Sequence, residues 1–124
     1  MELTQLKSLN VYGQALQYCS LSPKTGFVRD GYCQCLKEDP GQHTICVQVT
    51  DDFLQFSKDQ GNDLSTARPE YEFEGLVAGQ QWCLCLSRWI EAYEAGVAPK
   101  VVLAATHQSV LEKVDLQTLE TYSV

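Results

Sequence analysis

The chain has few basic residues, only two histidines and no long apolar run. Nine Lys and Arg stand against 16 Asp and Glu, for a formal net charge of −7. Binding to phosphate backbones depends on Lys and Arg, so this balance argues against a protein whose main partner is nucleic acid. It argues equally against attraction to anionic membrane surfaces. No stretch approaches the ~20 apolar residues of a membrane-spanning helix. The opening Met1-Glu2-Leu3-Thr4-Gln5 lacks the basic and apolar regions of a secretion signal. There is no P-loop, no Gly-x-Gly-x-x-Gly, no His-Glu-x-x-His and no Gly-x-Ser-x-Gly. No cofactor is implied.

What is present fits one domain. The chain has 124 residues, 44% hydrophobic and 20% charged, and a chain of this length buries roughly two-thirds of its unfolded surface. It needs neither disulfide nor metal to fold. Cysteine is the unusual feature, with six residues, at 19, 33, 35, 46, 83 and 85. With no export signal and an ample core, the expectation is a cytoplasmic protein whose six thiols are reduced.

Residues 1–10 read as a loose arm and 11–124 as the domain. Phe27-Val28 and Tyr32-Cys33 flank the turn Arg29-Asp30-Gly31, a hairpin pattern. His43–Val49 is the clearest strand, with Ile45, Val47 and Val49 on one face. Thr50 can cap a following helix that carries Asp51 and Asp52 in its first turn, where negative charge suits the helix dipole, and Gly61 can end it. Residues 61–81 read as irregular. Trp82–Leu86 reads as a buried strand, and Ser87 as the cap of a helix over 88–95 that Gly96 ends. Val101–Ala105 reads as another buried strand. Thr106 can cap a short helix through Lys113, and Asp115 a last one. Short helices and early hairpin signals favour a single small α+β domain with a mixed, partly antiparallel sheet.

Several stretches are distinctive as a set: Thr25-Gly26-Phe27-Val28-Arg29-Asp30-Gly31, Gly61-Asn62-Asp63-Leu64-Ser65-Thr66, Trp82-Cys83-Leu84-Cys85, Ala95-Gly96-Val97-Ala98-Pro99 and Ala105-Thr106-His107. From about Val11 to Glu112 the chain resembles a family of small, mostly bacterial proteins known only as a domain of unknown function. The resemblance implies an intracellular single-domain protein and no particular activity. The chain departs from the family pattern at Cys35, Ala67 and Glu74, where no Cys and two prolines are expected.

Four constellations could carry chemistry. Cys33-Gln34-Cys35 and Cys83-Leu84-Cys85 are both C-x-C, and on a strand each would turn two sulfurs to one face. That spacing wraps a metal poorly, so no stoichiometric zinc is expected; buried structural thiols are the plainer reading. A thiol nucleophile needs a base, and Cys33 or Cys85 could pair with His43 or His107 as catalytic residues. His43 with Cys33 and His107 with Cys85 are the pairings the spacing leaves open. The polar loop holding Asn62, Asp63, Ser65, Thr66 and Arg68 could bind a ligand or only shape turns. Arg29 beside Asp30, with Arg68 and Arg88, could converge on an anion, since the guanidinium grips carboxylate or phosphate bidentately. The carboxylates Glu38-Asp39 and Asp51-Asp52 read as ordinary turn and helix-start residues.

The leading expectation is a domain that binds a small anionic ligand between the 61–75 loop and the Arg29-Asp30 turn. The alternatives are a thiol-dependent enzyme and a small interaction protein without a ligand site. Ligand identity and oligomeric state stay open.

Overall fold

In the computed structural model the described residues are 8–124. The first seven residues, most of the expected arm, lie outside them. Leu9 and Asn10 are bound into the domain: Leu9 bridges Ala15, Asn10 bridges His107, and Asn10 is buried.

The core of the fold is a three-stranded antiparallel sheet in the order β2-β1-β3, made of β1 (Ile45–Gln48), β2 (Gln81–Leu84) and β3 (Lys100–Val101). Its helices are α1 (Asp51–Asp59), α2 (Leu86–Glu94) and α3 (Leu116–Thr121). This is a small α+β domain. The parallel component of the expected mixed sheet is reduced to an isolated bridge between Val101 and Ser123.

Strand alternation sorts the two faces of the sheet. Ile45 pairs with Leu84 and Val47 with Trp82, and all four belong to the main apolar core with Val49, Phe53 and Trp89. Cys46 pairs with Cys83, and both point to the opposite face, where they meet Cys19, Cys33 and Ala105. The apolar face is closed by α1 and α2. Trp89 is fully buried, donates its ring N–H to the Pro99 carbonyl, and packs against Tyr93 and Tyr122. The sulfur face is closed by the irregular chain before β1. There Thr25, also fully buried, accepts the Cys83 N–H at 2.8 Å.

The helix starts follow capping chemistry in part. Thr50 Oγ1 accepts the Phe53 N–H, and Asp115 accepts the Thr118 N–H, as the sequence suggests. At α2 the expected cap, Ser87, lies inside the helix and Cys85 occupies the cap position with extended backbone. Hydroxyl preference points to Ser87, whereas the end of β2 leaves the chain extended two residues earlier, at Cys85. His107, rather than Thr106, caps the 3₁₀ turn Gln108–Glu112, its Nδ1 accepting the Ser109 N–H. Thr106 is used across the core instead: its hydroxyl accepts from Cys46 N and donates to Val102 O. Beyond Val101 the expected strand gives way to a 3₁₀ turn, Leu103–Ala105. The turn at Arg29-Asp30-Gly31 forms without flanking strands. Arg29 and Gly31 both have positive φ, and a Cβ on Gly26 would meet the Tyr32 carbonyl.

The expectation of six reduced thiols is overturned. Cys19–Cys46 and Cys33–Cys83 are disulfides, with Cα separations of 5.7 and 5.2 Å, inside the usual range for such bonds. The partners lie 27 and 50 residues apart, so only the tertiary fold brings them together. Among the described residues Cys35, exposed, and Cys85, half-buried, are free.

Candidate functional site

A cleft of about 310 Å³ opens where the end of β2 turns into α2. Its walls come from the turn at Gly26, Phe27 and Arg29, from Asn62 and Leu64 after α1, and from His43, Cys85 and Arg88. Cys85 stands at the head of α2, and its thiol donates to the Gly41 carbonyl at 2.9 Å, with the Ser87 hydroxyl 3.3 Å away.

His43 precedes β1 and leans over the same spot. A Cβ built on Gly41 would lie 3.0 Å from His43 Cε1 and 3.5 Å from Cys85 Sγ. A side chain at 41 would press on the imidazole and stand in ordinary contact with the thiol, so both border the space beside Gly41. His43 Nδ1 lies 2.8 Å from Asp39 Oδ1, and Asp39 Oδ2 accepts the His43 backbone N–H at 2.8 Å. The Asp39 side chain is 1% exposed and that of His43 38%. The carboxylate thus fixes the ring at Nδ1 and leaves Nε2 unclaimed. A carboxylate dismissed in the sequence as a turn residue is the buried orienting group. The signal available was its spacing of four from His43 across Pro40-Gly41, a turn that folds the two together.

The sequence candidates divide. Cys33 is fully buried and disulfide-bonded, so it is no nucleophile and the pairing of His43 with Cys33 fails. His43 shares the cleft with Cys85 instead. His107 does not line the cleft; its ring is spent on the Ser109 N–H, and burial pushes its pKa below the usual histidine value.

Of the arginines, Arg29 lies over the Trp82 ring at 5.1 Å and lines the cleft. Arg88 also lines it, held by the Gln60 carbonyl at 3.3 Å and by Glu91 at 3.2 Å. Arg68 lies elsewhere, its backbone paired with Phe73. Asp30 is engaged locally, accepting from the Tyr32 N–H and the Gln34 amide.

The polar loop also divides. Asn62 faces the cleft. Asp63 Oδ1 accepts from the N–H groups of Ser65 and Thr66 and from the Ser65 hydroxyl. The Thr66 hydroxyl chiefly holds its carboxyl down to about 2; desolvation opposes it, and the N–H groups of Ser65 and Thr66 add to the lowering. Asp63, Ser65 and Thr66 thereby make a turn. Because the folded value lies below the unfolded one, this group adds stability above about pH 4, and the contribution is lost as pH falls toward 2. We expect carboxyl-detected NMR titration to give Asp63 a midpoint near 2, moved up toward 3.8 when Thr66 is replaced by Val. A midpoint near 3.8 in the native protein would show that the turn is not formed.

A larger cleft of about 410 Å³ lies between Ser22-Pro23-Lys24 and Glu72-Phe73-Glu74. It holds Arg29 and Lys24 but neither free thiol nor histidine, so the chemistry favours the smaller one.

The chain matches, over residues 9–123, the model of DUF2237, described as an uncharacterized protein conserved in bacteria. The chain belongs to this family. No curated protein matches it. The family assigns no activity, so function is argued from the cleft. No helix of the described residues is long and apolar enough to cross a membrane.

Proposed function

We propose that this member of the family is a thiol-dependent enzyme that acts on a small anionic substrate. The observation that carries this reading is the convergence of Cys85, the Asp39-held His43, and Arg29 with Arg88 on one cleft. The thiolate is the nucleophile in such chemistry, and a neighbouring base must take its proton. In this reading His43 Nε2, the ring nitrogen not engaged by Asp39, takes the proton from Cys85 Sγ as sulfur bonds to an electrophilic carbon. The same nitrogen then returns that proton to the leaving group. Arg29 and Arg88 give the substrate's anionic group its counter-charge, and Asn62 offers amide donors and an acceptor. The free N-terminal end of α2 adds a field favourable to negative charge beside the sulfur.

This reading absorbs the expected anion site between the 61–75 loop and the Arg29 turn and adds a reaction to it. A cytoplasmic location is compatible with the two disulfides, whose sulfur atoms are sealed from solvent: all four cysteines are 0–2% exposed. Attack by a soluble thiol needs access to one of those sulfurs.

The test compares a charged and a neutral alkylating agent on the two free cysteines. Iodoacetate and iodoacetamide differ mainly in charge, and Cys35 is the internal reference. We expect the ratio of iodoacetate to iodoacetamide rates to be at least tenfold higher at Cys85 than at Cys35. Arg29→Gln and Arg88→Gln should each reduce that ratio severalfold. Equal ratios at the two cysteines would remove the anion specificity from the reading.

A further inference from the structure

The four cysteines on the second face of the sheet come from three separate regions: Cys19 and Cys33 from the chain before β1, Cys46 from β1 and Cys83 from β2. The Sγ atoms of Cys19, Cys33 and Cys46 lie within 4.8 Å of one another. Cys83 is bonded to Cys33 and sits directly opposite Cys46 in the strand register. Three buried sulfurs thus share one spot and the fourth is bonded to one of them, the four joined as two adjacent disulfides.

We infer that this cluster, when reduced, is a binding site for one thiophilic divalent cation of the zinc class. A tetrahedral tetrathiolate has Zn–S bonds near 2.3 Å, which places its sulfurs about 3.8 Å apart. Cys33 Sγ lies within 4.8 Å of the bonded Cys19 and Cys46 sulfurs, which reduction frees to move apart. Cys83, released from Cys33, would be the fourth ligand, its Cα held beside that of Cys46 by the ladder. The C-x-C spacing that argued against zinc is irrelevant here: each C-x-C pair contributes one sulfur, and the wrapping comes from the sheet and the segment over it. Cys35 and Cys85 stay outside.

The surroundings suit a closed, four-thiolate centre. Val102 and Ala105 shield it from water. The Gln81 amide, anchored on the Cys19 carbonyl, reaches Cys46 Sγ at 4.0 Å and offers an N–H to the developing negative charge. Soft thiolates select zinc over magnesium or calcium. The balance is simple. Once local opening of the cover exposes a sulfur, each disulfide takes two electrons and two protons from a dithiol, which closes to its own disulfide. The four thiols then release four protons as the cation binds. The site is independent of the Cys85 reading, since neither free cysteine takes part.

Cobalt(II) is the probe, because tetrahedral thiolate ligation gives intense visible bands and a sulfur-to-metal charge-transfer band in the near ultraviolet. The full chain is reduced with a phosphine, freed of metal, and titrated with Co²⁺ without oxygen. We expect saturation at one Co²⁺ per chain, displacement by an equivalent of Zn²⁺, and no binding by the oxidised protein. The double variant Cys35→Ser/Cys85→Ser should bind identically, and Cys46→Ser should weaken binding at least 100-fold. If the reduced chain loses its fold, Zn²⁺ should restore the native circular dichroism. A reduced chain that shows no thiolate bands, that stays unfolded with Zn²⁺, or that loses binding in the Cys35/Cys85 double variant overturns the inference.

Discussion

Replacing His43 by Ala is expected to slow alkylation of Cys85 by on the order of 100-fold at neutral pH, the lower end of what a positioned base contributes. The same change should leave Cys35 untouched, because nothing in the structure joins His43 to it. The melting temperature should move little, since the imidazole is 38% exposed and its partner ring, Phe27, is centred 6.2 Å away. Asp39→Asn should fall between wild type and His43→Ala. It keeps a polar group near Nδ1 but removes the carboxylate acceptor that fixes the tautomer. Residue-resolved mass spectrometry of iodoacetamide labelling reads all of these rates in one sample. Equal rates at Cys85 in wild type and His43→Ala would mean that the imidazole lies beside the thiol without serving it.

Reducing the two disulfides in the absence of metal is expected to produce the largest loss of stability. Closing loops of 27 and 50 residues constrains the unfolded chain by about 3 to 4 kcal/mol each on the chain-entropy account. For a domain of this size, each bond then corresponds to a fall in melting temperature on the order of 10–15 °C. The pair Cys33→Ala/Cys83→Ala adds a cavity, because both side chains are 0–1% exposed. It should therefore cost somewhat more than reduction of that bond alone. Thermal melts with and without a phosphine reductant measure the first effect, and melts of the double variant the second. A native protein that titrates six thiols in denaturant would contradict the disulfides outright.

The elements that were legible in the sequence are those specified locally. Alternation placed Ile45, Val47 and Val49 on one face, and the cap at Thr50 and the stop at Gly61 bracketed α1 to within two residues. Asp115 marked the start of α3. The irregular reading of 61–81 also holds up to β2, broken only by a 3₁₀ turn at Pro69–Tyr71. What was not legible depends on tertiary placement. Cys83 and Cys85 are alike in sequence, yet the strand turns one sulfur into a disulfide and the start of α2 leaves the other free in a cleft. Asp39 looked like a turn carboxylate because burial cannot be read from Glu38-Asp39-Pro40-Gly41. The hairpin signal around Arg29 misled for a related reason: Phe27 and Val28 are 43% and 56% exposed, so the segment packs as an irregular cover over the sulfur face and makes no ladder.

Of the site itself, Cys85, His43, Arg29, Arg88 and Asn62 were named from the sequence, and the cleft contains all five. Cys33, Asp30, Asp63, Ser65, Thr66, Arg68 and His107 stand out in the sequence on the same grounds and do not line it. A residue type marks chemical capacity; only the fold decides which of them share a cavity.

The account rests on Cys85 being a reactive thiol because of where it sits. The comparison of Cys85 with Cys35 in the native protein tests this most directly. Cys35 is exposed and Cys85 only half-exposed, so access alone would make Cys35 the faster to react. With iodoacetamide in small excess at pH 7, the account predicts that Cys85 is labelled at least tenfold faster than Cys35, and that both become equal in denaturant. Labelling of Cys85 at or below the rate of Cys35 in the folded protein would contradict it.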